Sequence, residues 1–178
     1  MKRRLLHLGI LSLIITGCIE TEPVSPVPEI TYKSFELFYY YDSTLEQYLQ
    51  AGELIFDFID GDADLGIYPE YIDTTDSASW NEENYNIFLM PYEKIDTFFY
   101  AVEPDTSKPP PWYAIQHDTK LDRVGQNKTI KGTINLLILD VPEFDSMRYD
   151  FYIRDRAGNN SNVESTDVVH TIFEVPKI

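Results

Sequence analysis

Apolar and polar residues alternate in short runs along most of this 178-residue chain, and no segment sustains the 3.6-residue period of an amphipathic helix. Val, Ile, Phe and Tyr fill the runs while Gly, Pro, Asn and Asp break them, the pattern of strands joined by turns. Strands are expected at 34–41, 53–59, 85–92, 94–102, 112–116, 128–139, 148–154 and 168–174. Between the first two, "STLEQYLQAG" at 43–52 reads as one helical turn or a wide loop. Seven or eight strands in a chain of this length stack as two sheets, so the expected fold is an all-β sandwich in one domain.

The first residues read differently. Lys2, Arg3 and Arg4 precede an apolar stretch at 5–15, and small residues then lead to Cys18. This is the pattern of a secretory signal, shorter than the roughly 20 apolar residues that span a bilayer. The segment "ITGC" at 15–18 resembles a bacterial lipobox, whose cysteine takes diacylglycerol on its thiol and becomes the new amino terminus. That resemblance implies a signal peptide at 1–17, lipidation at Cys18, and a membrane partner reached through a permanent lipid anchor. Ile19 stands where inner-membrane retention signals carry Asp, which by the same resemblance implies the outer membrane, on its periplasmic or cell-surface face. Glu20 and Glu22 resemble the acidic export tag of Bacteroidetes-type surface lipoproteins. Pro23, Pro26 and Pro28 oppose a helix or a central strand, so 18–33 reads as a lipidated tether extending roughly 3.1 Å per residue, with the sandwich at 34–178. Because Cys18 is the only cysteine, that sandwich has no disulfide and stands on its hydrophobic core.

Charge narrows the partners. Thirty acidic residues face 14 basic ones, and three of those basic residues lie in the signal segment, which leaves 11 against 30 and a net charge of −19 beyond it. Such a surface repels phosphate backbones, so no nucleic acid partner is expected, whereas divalent cations are attracted.

The segment "VPEFDSMRYDFYIRDRAGNNSNVESTDVVHTIFEV" at 141–175 resembles the last hairpin of immunoglobulin-like and fibronectin type III domains, in which a Tyr-initiated strand is followed by an "AGN" loop. Tyr149 is the position matching that family's corner tyrosine, and Tyr149, Phe151 and Ile153 fall on one face of the strand. Taken with "FIDGDADLG" at 58–66, the chain resembles immunoglobulin-like lipoproteins of Bacteroidetes-type bacteria, a likeness that implies an architecture rather than an activity. The same lineage's O-glycosylation pattern, Asp followed by Ser or Thr, implies Ser43, Thr74, Ser77 and Ser146 as acceptors.

Two groups of residues are candidates for binding. In "IDGDADLG" at 59–66, Asp60, Asp62 and Asp64 recur at every second position, a spacing from which a short stretch of backbone converges hard oxygen ligands on calcium. An EF-hand is excluded, because position 6 of such a loop is Leu65 and position 12 is Tyr71, and a strand precedes it. What remains is a calcium loop between strands, completed by Asp57, Glu70 or Asp73, or else a turn in which Asp side chains cap backbone amides, which is the simpler expectation. The second group is aromatic: Trp80, Trp112 and Tyr113 flank loop signals and would stack sugar rings, although an all-β core is itself rich in aromatics. His117 and His170 have no second histidine at metal-binding spacing, and no nucleophile motif is present, so no enzyme is expected. The expected function is a lipid-anchored envelope module that binds or assists, capturing a glycan, or alternatively a structural or adhesive domain that contacts another surface protein through a calcium-stiffened loop.

Overall fold

The computed structural model describes residues 24–68, 82–105, 108–118, 128–139 and 141–171. Eight strands make two antiparallel sheets packed face to face, a β-sandwich. One sheet runs β1 (Glu29–Asp42), β2 (Gln47–Asp60), β6 (Ile130–Leu139). The other runs β4 (Phe98–Ala101), β3 (Ile87–Ile95), β7 (Met147–Ile153), β8 (Glu164–Ser165), with β5 (Trp112–Tyr113) sharing one edge of β3 with β4. The chain crosses between sheets from β2 to β3, from β5 to β6 and again from β6 to β7.

The alternation seen in the sequence is what fills the core. Met147, Tyr149, Phe151 and Ile153 of β7 are all buried and face Leu54 and Phe56 of β2, with the rings of Phe56 and Phe151 5.1 Å apart. Tyr149, the residue matched to the corner tyrosine, is wholly buried and meets Phe35 edge-on at 5.5 Å. In β1 the register shifts between Tyr32 and Ser34. That bulge lets Ile30 and Tyr32 before it, and Phe35 and Leu37 after it, point into the same core although their numbering changes parity.

Three segments differ from the sequence expectation. Residues 43–52 form neither a helical turn nor a wide loop: Asp42 Oδ1 accepts the amides of Thr44 and Leu45, Glu46 takes φ 52°, and β2 starts at Gln47. Extended pairing begins at Glu29 rather than at 34, with Pro28 already buried, so the segment expected to be free tether is partly sandwich. At the other end β8 is two residues long, because side chains replace a regular ladder along that edge of β7. The Thr166 hydroxyl accepts the Tyr149 amide, and the Ser161 hydroxyl accepts that of Ile153. Within the strand expected at 168–174, Val169 pairs once, with Met147, and 172–174 lie outside the described residues. Pro91 sits within β3 without breaking it: its carbonyl accepts the Val102 amide on the edge shared by β4 and β5, so β7 does not need the N–H that proline lacks.

The gap between β1 and the β8 side of the second sheet is closed by Asn162. Its Oδ1 accepts the Ile30 amide at 2.8 Å and its Nδ2 donates to the Ile30 carbonyl at 2.9 Å, so one side chain acts as a strand partner. Ile30 is 2% exposed, and loss of both bonds strands two desolvated backbone groups. Asn162→Ala is therefore expected to lower the unfolding free energy by about 2–3 kcal/mol, read as a lower denaturant midpoint at unchanged slope. Asn162→Asp, which keeps the acceptor and loses the donor, is expected to fall between the two.

Candidate metal centre

β2 ends at Asp60, and the chain turns through 61–66 at the end of the sandwich where β1 begins and β7 ends. The turn is tight because Ala63 takes a left-handed φ of 60° between Asp62 and Asp64, a conformation costing roughly 1–3 kcal/mol for a non-glycine residue. Gly66 follows at φ 105°, where a side chain is not accommodated.

Part of the carboxylate chemistry is that of a turn. Asp60 Oδ2 accepts the Leu65 amide at 3.0 Å, and Asp64 Oδ2 accepts the Ala157 amide at 3.0 Å. The remaining oxygens have no such role. Oδ1 of Asp60, of Asp62 and of Asp64 are each desolvated, and none of the described residues donates a hydrogen bond to them. The three residues present ligand oxygens within 4.8 Å of one another, and Asp60 is 0% exposed. Oxygens bound to one calcium at roughly 2.4 Å lie at most about 4.8 Å apart, so the three are close enough to share one ion.

The proton affinities record the crowding. Asp60 is pushed up to about 6, first by burial, then by a hydrogen bond with Asp62 that exists only with a proton between them, and by the charges of Asp62 and Asp64. Burial also raises Asp64, with the charges of Asp155 and Asp62 adding to it and the Ala157 amide and Arg156 opposing. By contrast Asp57, expected as a further ligand, is held low by its hydrogen bonds to Lys33 and Thr133, 2.7 Å from each. It belongs to the outer face of β2 and does not join the cluster. Glu70 and Asp73, the other expected ligands, lie outside the described residues.

The acidic turn is a junction for distant segments. Arg156, in the turn after β7, donates its amide to the Asp64 carbonyl and Nη1 to the Gly66 carbonyl and to His117 Nδ1, both at 3.1 Å. The Ile67 amide donates to Ile115 and its carbonyl accepts from His117, joining the turn to the segment after β5. None of these partners follows from local sequence, since they are 39 to 92 residues apart, and "DRAGN" in isolation reads only as a loop.

The aromatic candidates do not form one platform. Trp112 lies on the outer face beside Phe88 and Tyr85, its ring centroid 5.5 and 5.7 Å from theirs, whereas Tyr113 points the other way and packs against the core. Phe88 itself stacks on Tyr152 at 4.9 Å and lies 4.7 Å from the Arg154 guanidinium, so this cluster largely satisfies itself. Trp80 lies outside the described residues, as do Cys18, Thr74 and Ser77. Ser43 is exposed at the β1–β2 turn, while the Ser146 hydroxyl is 2.8 Å from His170 Nδ1. No protein family, curated protein or solved structure matches the chain.

Raising the proton affinity of a folded carboxylate means that the folded state binds more protons than the unfolded one between the ordinary carboxylate value and about 6. With chelator present, stability is thus expected to fall as pH rises through that window and to level off above it, the ionised Asp60 then costing on the order of 3 kcal/mol. Asp60→Asn keeps an acceptor for Leu65 and supplies a donor to the other carboxylates. In chelator at about pH 7.5 it is expected to melt above the wild type, and its unfolding free energy is expected to lose most of that pH dependence.

Proposed function

We propose that the protein is a non-catalytic interaction module of the cell envelope, anchored through a lipid on Cys18, whose loop end is stiffened by calcium held between Asp60, Asp62 and Asp64. The observation that carries this reading is the set of three desolvated Oδ1 atoms with no donor among the described residues. A turn uses one oxygen of Asp60 and one of Asp64 and gives no reason to bring the others together without water. A divalent cation gives that reason, since it turns mutual repulsion into shared attraction. The all-oxygen donor set is the hard one calcium takes, with the rest of its six to eight positions left for water or backbone carbonyls. Magnesium, which demands near-ideal octahedral geometry and gives up its waters reluctantly, is the less suited ion for a site on a short irregular turn.

Holding the turn holds what is bonded to it, namely the turn after β7 through Ala157 and Arg156 and the 115–117 segment through Ile67. In this reading the end of the sandwich is a fixed surface offered to a protein partner. Glycan capture at Trp112 is the weaker reading, because that ring and its neighbours are occupied with one another.

Calcium at about 100 times its dissociation constant is expected to add about 2.7 kcal/mol and raise the melting temperature by roughly 5–10 °C, with a smaller effect from magnesium. Asp62→Asn is expected to remove most of that increment. An unchanged melting temperature in millimolar calcium would defeat the metal reading. The anchor is tested separately: radiolabelled fatty acid should enter the wild-type protein in an envelope-competent host and be absent from Cys18→Ser.

A further inference from the structure

Between the first two carboxylates stands Gly61, and the chain entering the sandwich lies across it. The Gly61 amide donates to the Ser25 carbonyl at 3.0 Å, and a Cβ at Gly61 would run into the carbonyl oxygens of Ser25 and Val24. On its other side the Gly61 carbonyl faces the Thr129 hydroxyl at 3.4 Å. The "DG" step therefore has a long-range cause: residues preceding β1 touch the acidic turn there, and only a residue without a side chain leaves room for them. The crossing is itself shaped, since Val27 donates its amide to the Ser25 hydroxyl at 3.0 Å and Pro28 is buried just before β1.

We infer that the Asp60–Asp62–Asp64 site is a calcium-operated lock on the junction between the amino-terminal segment and the sandwich: a bound ion fixes Gly61, and Gly61 fixes the incoming chain at Ser25. This rests on the metal reading above and adds a mechanical consequence to it. The coupling is short. Gly61 is joined to Asp60 and to Asp62 by single planar peptide units, so an ion that draws these two carboxylates together sets the direction of the Gly61 N–H between them. Without the ion, three crowded carboxylates spread, the N–H turns away from Ser25, and the entering chain swings from the end of β1. The ion thereby decides whether the domain stands at a fixed angle on its tether or pivots about it.

Residues 19–178 contain every described core residue and no cysteine, so a single spin label can be placed in that chain at Val24→Cys, whose side chain is 40% exposed. Calcium is expected to immobilise this label, with its lines broadening in step with calcium binding followed by calorimetry. A label at Thr44→Cys, in the β1–β2 turn at the far end, should not respond. Adding Gly61→Ala keeps all three carboxylates but expels the Ser25 carbonyl. The Val24 label should then stay mobile with or without calcium, and by reciprocity the ion should bind at least about fivefold more weakly. If calcium binds the parent chain while the Val24 label keeps its mobility, the lock is refuted and the metal site stands. If calcorimetric titration finds no calcium binding, both fall.

Discussion

The sandwich is held by contact between the inner faces of β2 and β7, with Leu54 and Phe56 against Tyr149, Phe151 and Ile153, and by no disulfide, since its chain has a single cysteine at position 18. Apolar burial of this kind is non-directional. It brings the two sheets together but does not fix where their edges meet or how their loops lie. Those tasks fall to polar side chains acting as backbone. Asn162 pairs with Ile30 across the seam, and Ser161 and Thr166 pair with β7 where the last strand becomes irregular. Tyr32 and Asp167 add a further link on the same side, with the tyrosine hydroxyl donating to the carboxylate.

The same division explains what could be read from the sequence. Period-two alternation is a local property, and it gave the strand class, the sandwich and the inward face of 149, 151 and 153 directly. Turn chemistry was less legible. Asp42 caps two amides and ends a strand within four residues of the next, where "STLEQYLQ" suggested something wider. The short β8 at Glu164–Ser165 was not legible, because hydroxyls standing in for ladder partners leave no hydrophobic signature. At the acidic turn, the three aspartates were visible from their spacing. Spacing alone did not reveal that each would turn one oxygen inward, because that depends on Ala63 in a left-handed conformation and on Ala157 taking the second oxygen of Asp64. Gly61 has its reason to be glycine 36 positions earlier, at Ser25, a contact that no local pattern signals.

Desolvated carboxylates, a left-handed alanine and a buried aspartate with a raised proton affinity all act against folding, and they occur within five residues of one another. Left-handed non-glycine residues also stand at Glu46 and Asp96, but there each serves a turn between strands, and a bulge keeps β1 in register with the core. What sets the acidic turn apart is that backbone strain and carboxylate desolvation occur in it together. The docking of Arg156 and of the 115–117 segment confines that cost to one end of the molecule, leaving the β2–β7 core untouched.

β1 runs the full length of the sheet, from its first pair at Glu29 and Ile59 to its last at Asp42 and Gln47. Its hydrogen bonds to β2 lie perpendicular to the strand. A pull along β1 from its amino-terminal end, such as a tethered protein feels when its far end is held, loads the whole ladder in shear, and the pairs must yield together. The same pull applied across the sheet would open them one after another, like a zipper. With a ladder running the length of β1, this sheet resists tension along that strand far better than tension across it.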